Sequence, residues 1–297
     1  MHSFWKIPFA ALTLLASVAG AAAADKLPVV ASFSILGDLV SEIGGERVAV
    51  STLVGPDQDA HMFSPSPADA KKVAQSKLVV VNGLGFDPWI NRLSGAAGYK
   101  GATVVASSGI KTRDMSDEGQ IHADPHAWQD PTNVITYAGN IAAALGKIDP
   151  AGAHYYQANR DRYVKSLKEL DGWASQQFAQ IPVAKRKVIT SHDAFGYLGA
   201  RYQITFLAPQ GTSTDSEASA KGVAKLIGQI RRERIKSVHI ENMSNPKLLQ
   251  QISREAGVTM GAKLYADALS GPQDGAPSYL KMMRYNIEQL MSGLKLN

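Results

Sequence analysis

The sequence predicts an α/β protein made of two lobes, each built on a parallel sheet, with one long helix joining them. Short apolar segments rich in β-branched residues alternate with helical segments in both halves of the chain, which is the pattern of β-α-β units. A long helical pattern lies between the two halves. The chain has 297 residues, which is enough for two domains with separate cores and a cleft between them.

Segments with the length and composition of buried strands occur in both halves. In the first half they are Leu27–Phe33, Val48–Val54, Leu78–Val81 and Thr103–Ala106, and in the second half Lys187–Thr190, Ile204–Leu207, Ser237–Glu241 and Thr259–Leu264. A helix is expected after the second strand, because Ser66 is a good N-cap, Pro67 suits the first helical position and Asp69 lies in the first turn.

The linking helix is predicted from Asp149-Pro150 to about Gln180, a stretch without a proline after its first turn. Its apolar residues recur at the spacings that one buried stripe requires. They are Tyr156, Tyr163, Leu167, Leu170, Ala174 and Phe178. Such a helix would be roughly 45 Å long and could span both lobes as a stiff strut. The alternative is a surface helix that belongs wholly to one lobe.

The first 24 residues have the features of a secretory signal peptide. Lys6 precedes an apolar run from Ile7 to Ala24, which ends in three alanines. No Cys stands at this cleavage site, so the sequence predicts free diffusion in a bacterial periplasm with no lipid anchor. The expected division of the chain is a signal peptide at 1–24, a first lobe at 25–148, the linking helix at 149–181 and a second lobe at 182–297.

The composition restricts the chemistry of any site. The chain contains no Cys, so a disulfide framework, a thiolate metal site and a cysteine nucleophile are excluded. A transition-metal site must therefore use imidazole and carboxylate ligands. The net charge of +5 comes from Lys and Arg that are scattered along the chain, and this distribution favours a solvated surface over nucleic-acid binding.

Four residues are candidates for such a site, namely His61, His126, His192 and Asp267. His61, His192 and Asp267 each lie just beyond a predicted strand. Open α/β sheets present their ligands at the carboxyl ends of strands, and four such groups would form a tetrahedral site of three nitrogens and one oxygen. Taken singly, each His is more often a hydrogen-bonded structural residue, and Asp267 could simply cap its own loop. The spacing alone does not make them converge, because no short ligand motif is present.

The segments around these residues resemble a known family. They are Asp57-Gln58-Asp59-Ala60-His61-Met62-Phe63-Ser64-Pro65-Ser66-Pro67, Asp124-Pro125-His126-Ala127-Trp128-Gln129-Asp130-Pro131, Ser191-His192-Asp193-Ala194-Phe195-Gly196-Tyr197 and Tyr265-Ala266-Asp267-Ala268-Leu269-Ser270. In this order they are similar to the four ligand segments of the cluster A-I metal-binding proteins of bacterial ABC importers. The resemblance implies two Rossmann-like lobes, one rigid linking helix and a single zinc or manganese ion in the cleft between the lobes.

Carried over to this chain, the resemblance implies that His61 and His126 bind the ion from the first lobe, and His192 and Asp267 from the second. Three imidazoles with one carboxylate suit Zn²⁺, whereas Mn²⁺ prefers more oxygen ligands. Zinc is therefore the expected cargo, one ion per chain, with manganese as the alternative, and the chain looks closest to the zinc-binding AztC type. A membrane permease of the ABC transporter is the expected partner, with a periplasmic metallochaperone as a possible donor, and the protein is expected to be a monomer without enzyme activity.

Two features leave alternatives open. Zinc-type members of the family commonly carry a His-rich loop before the second ligand, but here the segment from Thr112 to His122 is short, either naturally or through engineering. His122 is an accessory ligand at most, and a solvated loop residue is the simpler interpretation. A secreted zinc hydrolase would use the three His residues with water in the fourth position, and Glu217 is the candidate base, although it equally fits a helix start.

Overall fold

The computed structural model describes residues 1–2, 25–117, 120–215 and 218–297. The predicted signal peptide at 1–24 therefore falls outside the described residues, apart from its first two positions. Among the helices that are described, none combines the length and the apolar character needed to cross a membrane. The two-lobe α/β architecture with parallel sheets is confirmed.

The first lobe is built on a parallel sheet of four strands in the order β2-β1-β3-β4. The strands are β1 (Leu27–Phe33), β2 (Val48–Val54), β3 (Leu78–Val81) and β4 (Ala102–Val105), and the helices between them are α1 (Ser34–Gly44), α2 (Pro67–Gln75) and α3 (Trp89–Ala96). Three of these strands have the predicted bounds, and β4 lies one residue earlier. The central strands β1 and β3 are the most buried, because helices cover the sheet there.

The helix α2 begins where its capping residues predict. Ser66 and Asp69 form a capping box, in which the Ser66 hydroxyl accepts from the Asp69 peptide N–H at 3.3 Å and the Asp69 carboxylate accepts from the Ser66 peptide N–H at 3.0 Å. Two peptide N–H groups at the helix N-terminus are thereby satisfied. This cap fixes the end of the loop that carries His61.

A two-stranded antiparallel hairpin and a further helix complete the first half of the chain. The hairpin consists of β5 (Asp114–Asp117) and β6 (Gln120–Ala123), and a short 3-10 turn at Ala127–Gln129 leads into α4 (Pro131–Ile148). Asp130 caps α4, since its carboxylate accepts from the Thr132 peptide N–H at 2.8 Å. The segment between these elements contains His126.

The second lobe is built on a smaller parallel sheet in the order β8-β7-β9. Its strands are β7 (Lys187–Ile189), β8 (Thr205–Leu207) and β9 (Ser237–Val238), and its helices are α6 (Gly196–Tyr202), α7 (Ala220–Glu233), α8 (Pro246–Ala256) and α9 (Tyr279–Leu294). All three strands are shorter than predicted, and β9 keeps only the first two residues of the expected Ser237–Glu241.

The predicted strand Thr259–Leu264 is wrong. This segment lies alongside the extension of β9, and two of its peptide N–H groups donate to that extension, Gly261 N to Val238 O at 2.7 Å and Leu264 N to Ile240 O at 2.8 Å. The donors are three positions apart, whereas the acceptors are two positions apart. One extra residue therefore interrupts the ladder, as in a bulge, and only an isolated bridge remains at Leu264.

The long helix α5 (Ala153–Ala179) links the two lobes. It packs against α1 and α4 of the first lobe and against α6 and α9 of the second, so the alternative of a helix belonging to one lobe is wrong. It begins later than predicted, because Asp149 caps a separate 3-10 turn at Pro150–Gly152. Its length is roughly 40 Å, and every residue of the predicted apolar stripe is buried.

Candidate metal site

Four side chains from distant parts of the chain converge between the two sheets. One ligand atom from each of them lies within 4.8 Å of the others, and the four residues are His61, His126, His192 and Asp267. His61 follows β2 of the first parallel sheet and His126 follows the hairpin strand β6, whereas His192 follows β7 and Asp267 follows the bridge at Leu264 in the second lobe. The carboxyl ends of β2 and β7, one from each parallel sheet, thus face one another across the cleft.

The distances inside this group fit a small ion. The Asp267 Oδ2 atom lies 3.2 Å from His61 Nε2 and 3.2 Å from His192 Nε2, and Oδ1 lies 3.8 Å from His126 Nε2. An ion with bonds of about 2.0–2.2 Å in a tetrahedral arrangement separates its ligands by about 3.4 Å. The contacts of Asp267 with His61 and His192 are close to this spacing, and the four atoms all lie within 4.8 Å of one another.

The ligand atoms are buried and have no hydrogen-bond partner among the residues that the structure describes. They are the Nε2 atoms of His61, His126 and His192 and both carboxylate oxygens of Asp267. A buried polar atom without a partner typically costs about 1–3 kcal/mol, and native proteins hold few of them. Such atoms around one point indicate a binding centre for a cation.

Asp124 holds the ring of His126 in place. Its Oδ1 atom lies 2.9 Å from His126 Nδ1 and accepts from the His126 peptide N–H at 3.0 Å. Arg113 Nη1 donates to the other oxygen at 2.5 Å, and the Tyr197 hydroxyl donates to the Asp124 carbonyl at 3.2 Å. A carboxylate on Nδ1 keeps the proton on that nitrogen and directs Nε2 toward the centre.

Glu241 performs the same task for His192. Its Oε2 atom is hydrogen-bonded to His192 Nδ1, and its Oε1 atom accepts from the peptide N–H groups of Ser191 at 2.9 Å and His192 at 3.0 Å. Glu241 was not among the residues that the sequence singled out. The available signal was an acidic side chain at the end of a predicted strand of the same sheet.

His61 is held differently, because its loop rather than a carboxylate on its ring sets its position. Its peptide N–H donates to Asp59 Oδ1 at 2.9 Å, and its ring meets Phe86 edge-on at 5.0 Å between centroids. The side chain is 7% exposed, whereas the other three are fully buried. His61 therefore occupies the solvent side of the centre.

The backbone around Asp267 is anchored on both lobes. The Ala266 carbonyl accepts from Trp128 Nε1 at 2.9 Å and from Gln129 Nε2 at 2.8 Å. The peptide groups of Tyr265 are bound by the side-chain amide of Asn286 on α9 at 2.9 and 2.7 Å. Trp128 thus joins the lobes directly beside the centre.

Burial and charge act in opposite directions on two of these groups. Burial alone would lower the pKa of His192, but the carboxylates of Glu241 and Asp267 raise this pKa well above its usual value. Burial would raise the pKa of Asp267, but the imidazoles of His192 and His126 hold it well below its usual value. The site is therefore electrostatically suited to positive charge.

The remaining sequence candidates lie outside this group. His122 is exposed on β6, where it pairs with Met115, so an accessory role stays a prediction. Glu217, the candidate base of the hydrolase alternative, lies outside the described residues. The Asp267 carboxylate lies among the three imidazoles, where a hydrolase would need an open position for water.

Comparisons with known proteins support this interpretation of the site. The family described as ZnuA, zinc-uptake complex component A, periplasmic, matches residues 29–293. The chain is 30% identical over 270 residues to the manganese-binding lipoprotein MntA of Halalkalibacterium halodurans, covering 91% of this chain and 89% of the relative. It is 29% identical over 303 residues to the manganese ABC transporter substrate-binding lipoprotein PsaA of Streptococcus pneumoniae, covering 98% and 96%.

Solved structures share the fold along nearly their whole length. The Mn-bound periplasmic metal-binding protein of Candidatus Liberibacter asiaticus superposes with a TM-score of 0.82 at 28% identity, covering 91% of this chain and 100% of that one. The periplasmic zinc-binding protein TroA of Treponema pallidum superposes with a TM-score of 0.85 at 25% identity, covering 91% and 99%. These relatives are named for different ions, so the AztC-like zinc type stays a prediction.

The relatives contradict the predicted localisation. The proteins of H. halodurans, Streptococcus mutans, S. pneumoniae and Streptococcus cristatus are named lipoproteins, which are held at the membrane surface by their lipid. The prediction of free diffusion without a lipid anchor is therefore wrong. That prediction relied on the absence of Cys, which concerns only lipid attachment through a cysteine thiol.

The prediction that the chain is not an enzyme is confirmed by its relatives, which are substrate-binding components of ABC transporters. The match to the family covers most of the chain, and the site groups three imidazoles with one carboxylate. The chain therefore belongs to the ZnuA family, the cluster A-I metal-binding proteins that serve as substrate-binding components of bacterial ABC transporters.

Proposed function

We propose that this protein captures Zn²⁺ and delivers it to the membrane permease of an ABC transporter for import. The observation that carries the proposal is the group of buried imidazole Nε2 atoms around the unpaired carboxylate of Asp267. His61, His126, His192 and Asp267 are the proposed ligands. The protein acts as a monomer that presents one loaded face to the permease, and a metallochaperone is a candidate donor of the ion.

The donor set supports zinc as the cargo. Neutral imidazole is a favoured ligand of Zn²⁺, and four ligands complete the tetrahedral coordination that this ion prefers. The carboxylates of Asp124 and Glu241 increase the basicity of two of these imidazoles. A site that offers strong nitrogen donors at short range favours the smaller and softer ion.

Manganese is the second candidate, and one observation favours it. Both oxygens of Asp267 lack a hydrogen bond within the described part of the chain, so this carboxylate is free to bind through two atoms. Three nitrogens and two oxygens then give a fifth donor, which suits a larger ion with a preference for oxygen. The relatives MntA and PsaA are named as manganese proteins.

The mechanism is capture between two lobes with little movement of the lobes themselves. We assign the first lobe to 25–148, the linking helix to 149–181 and the second lobe to 182–297. The helix α5 packs on helices of both lobes, and Trp128 bonds across the cleft. These contacts favour small adjustments over the wide hinge closure of other two-lobe binding proteins.

Elemental analysis tests the function and the cargo together. The protein and its His192→Ala and Asp267→Ala variants are stripped of metal, reloaded with equimolar zinc and manganese, and washed. One zinc per chain is expected for the unaltered protein, and a reduced content for both variants. His154→Ala is the control, because His154 is exposed on α5 and outside the ligand group.

Each other outcome contradicts a particular part of the proposal. Manganese in place of zinc would replace the cargo but keep the site. Full zinc retention by Asp267→Ala would leave the fourth position open to water and favour the hydrolase alternative. Absence of any bound metal from the unaltered protein would contradict the proposed function.

A further inference from the structure

The loop between β2 and α2 carries His61 and is fastened to the opposite lobe by side-chain hydrogen bonds. Thr214 Oγ1 donates to Asp59 Oδ2 at 2.6 Å, and Asn242 Nδ2 donates to Asp57 Oδ1 at 2.8 Å. The Asp57 peptide N–H also donates to the Leu269 carbonyl at 2.9 Å. This loop is therefore held in place by residues that belong to the second lobe.

His61 is the ligand with the most freedom to leave. Carboxylates hold the Nδ1 atoms of His126 and His192, but no hydrogen bond to the His61 ring is found among the described residues. The His61 side chain is also the only one of the proposed ligands with measurable exposure, 7%. Displacing it requires a movement of the loop but no break in either sheet.

Asp59 connects the position of His61 to the second lobe. One of its oxygens accepts from the His61 peptide N–H at 2.9 Å, and the other accepts from the Thr214 hydroxyl at 2.6 Å. A single carboxylate thus joins the ligand's own backbone to a side chain across the cleft. Loss of the Thr214 contact frees the loop while leaving all four ligands in the chain.

An open cleft lies directly beside this contact. It has a volume of about 450 Å³ and is lined by residues that include Asp59, Thr214, Met243, Ser244 and Lys247. Ser244 Oγ lies 3.4 Å from Glu241 Oε2, the atom bonded to the His192 ring. The cleft therefore extends from solvent to Asp59, which supports His61, and to Ser244, which contacts Glu241.

We propose that the Asp59–Thr214 hydrogen bond is a latch that sets the rate of metal exchange. The ion enters and leaves through the cleft, and His61 is the last ligand to bind and the first to leave. Asp59 and Thr214 are positioning residues in this process, because they act on the ion through the His61 loop. The inference rests on the proposed function and adds the route and the rate control of the same site.

Exchange kinetics of Thr214→Val test the latch, because valine keeps the shape and removes the hydroxyl. Zinc alone is the probe, association is followed by stopped-flow fluorescence, and dissociation is followed with a chromophoric chelator in excess. The lost bond joins a hydroxyl to a charged acceptor, so both rate constants should rise about tenfold. The Kd should stay within threefold of that of the unaltered protein, because the Asp59–Thr214 hydrogen bond forms in both the metal-free and the zinc-loaded protein.

Matched variants separate the latch from general damage. Thr214→Ser retains the hydroxyl and should keep the unaltered rates. Ser213→Ala alters the same loop without touching Asp59 and should also keep them. A structural defect in ligation would accelerate dissociation alone and raise the Kd, so this pattern in Thr214→Val would overturn the latch.

Different results would contradict the latch and the proposed function. Rates in Thr214→Val equal to those of the unaltered, metal-binding protein would overturn the latch and leave the proposed function standing. An unaltered protein that binds no zinc or manganese would overturn both.

Discussion

Replacement of Glu241 by Gln should weaken zinc binding by changing which nitrogen of His192 carries the proton. In the structure, two peptide N–H groups converge on Glu241 Oε1, at 2.9 Å from Ser191 and 3.0 Å from His192. The single oxygen of Gln must stay there to satisfy them. The amide NH₂ group then faces His192 Nδ1, and because it can only donate, the ring must carry its proton on Nε2.

The magnitude follows from the hydrogen bond between His192 Nδ1 and Glu241, which the unaltered protein keeps when zinc binds and the variant lacks. To present Nε2 to the ion, the variant must return the proton to Nδ1, against an NH₂ group, and so forgoes a charge-assisted hydrogen bond of about 1.5–3 kcal/mol. That range corresponds to about 10–150-fold in Kd. Loss of the Glu241 charge also lowers the pKa of His192, which reduces competition from protons and partly offsets this effect. An increase of about 10–50-fold in the Kd for zinc is therefore expected.

Two measurements check this prediction. Chelator competition measures the Kd, and ¹⁵N NMR of the imidazole rings in the metal-free protein shows which nitrogen is protonated. Ser244→Ala is the control, because its hydroxyl makes only a long contact of 3.4 Å with Glu241, and its Kd should change less than threefold. A Glu241→Gln variant that binds zinc within twofold of the unaltered protein and keeps the proton on Nδ1 would refute the reasoning.

Three further predictions concern protons and packing. Zinc must displace a proton from His192, whose pKa is raised by neighbouring carboxylates, so affinity should fall about tenfold per pH unit on acidification; equal affinities at pH 7.5 and 5.5 would contradict this. Burial raises the pKa of Asp38 to about 7, so its contribution to stability is present below pH 4 and is lost as the pH rises through 7. Asp38→Asn should therefore reduce the difference in unfolding free energy between pH 5 and pH 8 by on the order of 2 kcal/mol, after allowance for solvent screening. Denaturant unfolding at the two pH values measures this difference, and an unchanged difference would be evidence against the raised pKa of Asp38. A Cβ at Gly196 would overlap the Arg113 guanidinium, so Gly196→Ala should raise the Kd for zinc several-fold, as measured by chelator competition. Gly172→Ala is the control and should leave the Kd unchanged, because a Cβ there meets no neighbouring atom within 4 Å. Equal effects of the two variants would exclude a role for Arg113.

The parts of the fold that could be predicted from the sequence are those fixed by local chemistry. The strands β1, β2 and β3 have their predicted bounds, and β1 and β3 are largely buried apolar runs of the kind that a covered parallel sheet favours. The start of α2 followed from the capping residues Ser66 and Asp69. Asp149-Pro150 also looked like a helix start, but the cap serves a 3-10 turn before α5, since the same residues suit both turns.

Features that depend on distant partners could not be predicted in this way. The hydrogen-bond ladder between Thr259–Leu264 and the extension of β9 is interrupted by one extra residue. The length of a segment does not reveal its pairing register. Glu241 reaches His192 because β9 lies next to β7 in the sheet, although β8 intervenes in the chain. The convergence of the proposed ligands was expected from strand ends and from the family resemblance, since their spacing contains no ligand motif.

The anchoring of Asp267 by Asn286 on the last helix has a consequence for how the protein is made. His61 lies early in the chain, whereas α9, which fixes the backbone next to Asp267, follows all four proposed ligands in the sequence. A growing chain folds its first lobe before the second exists, and at that stage it holds at most two of the imidazoles. The complete centre therefore forms only after α9 has been synthesised, so a product that lacks α9 should not retain the ion with full affinity.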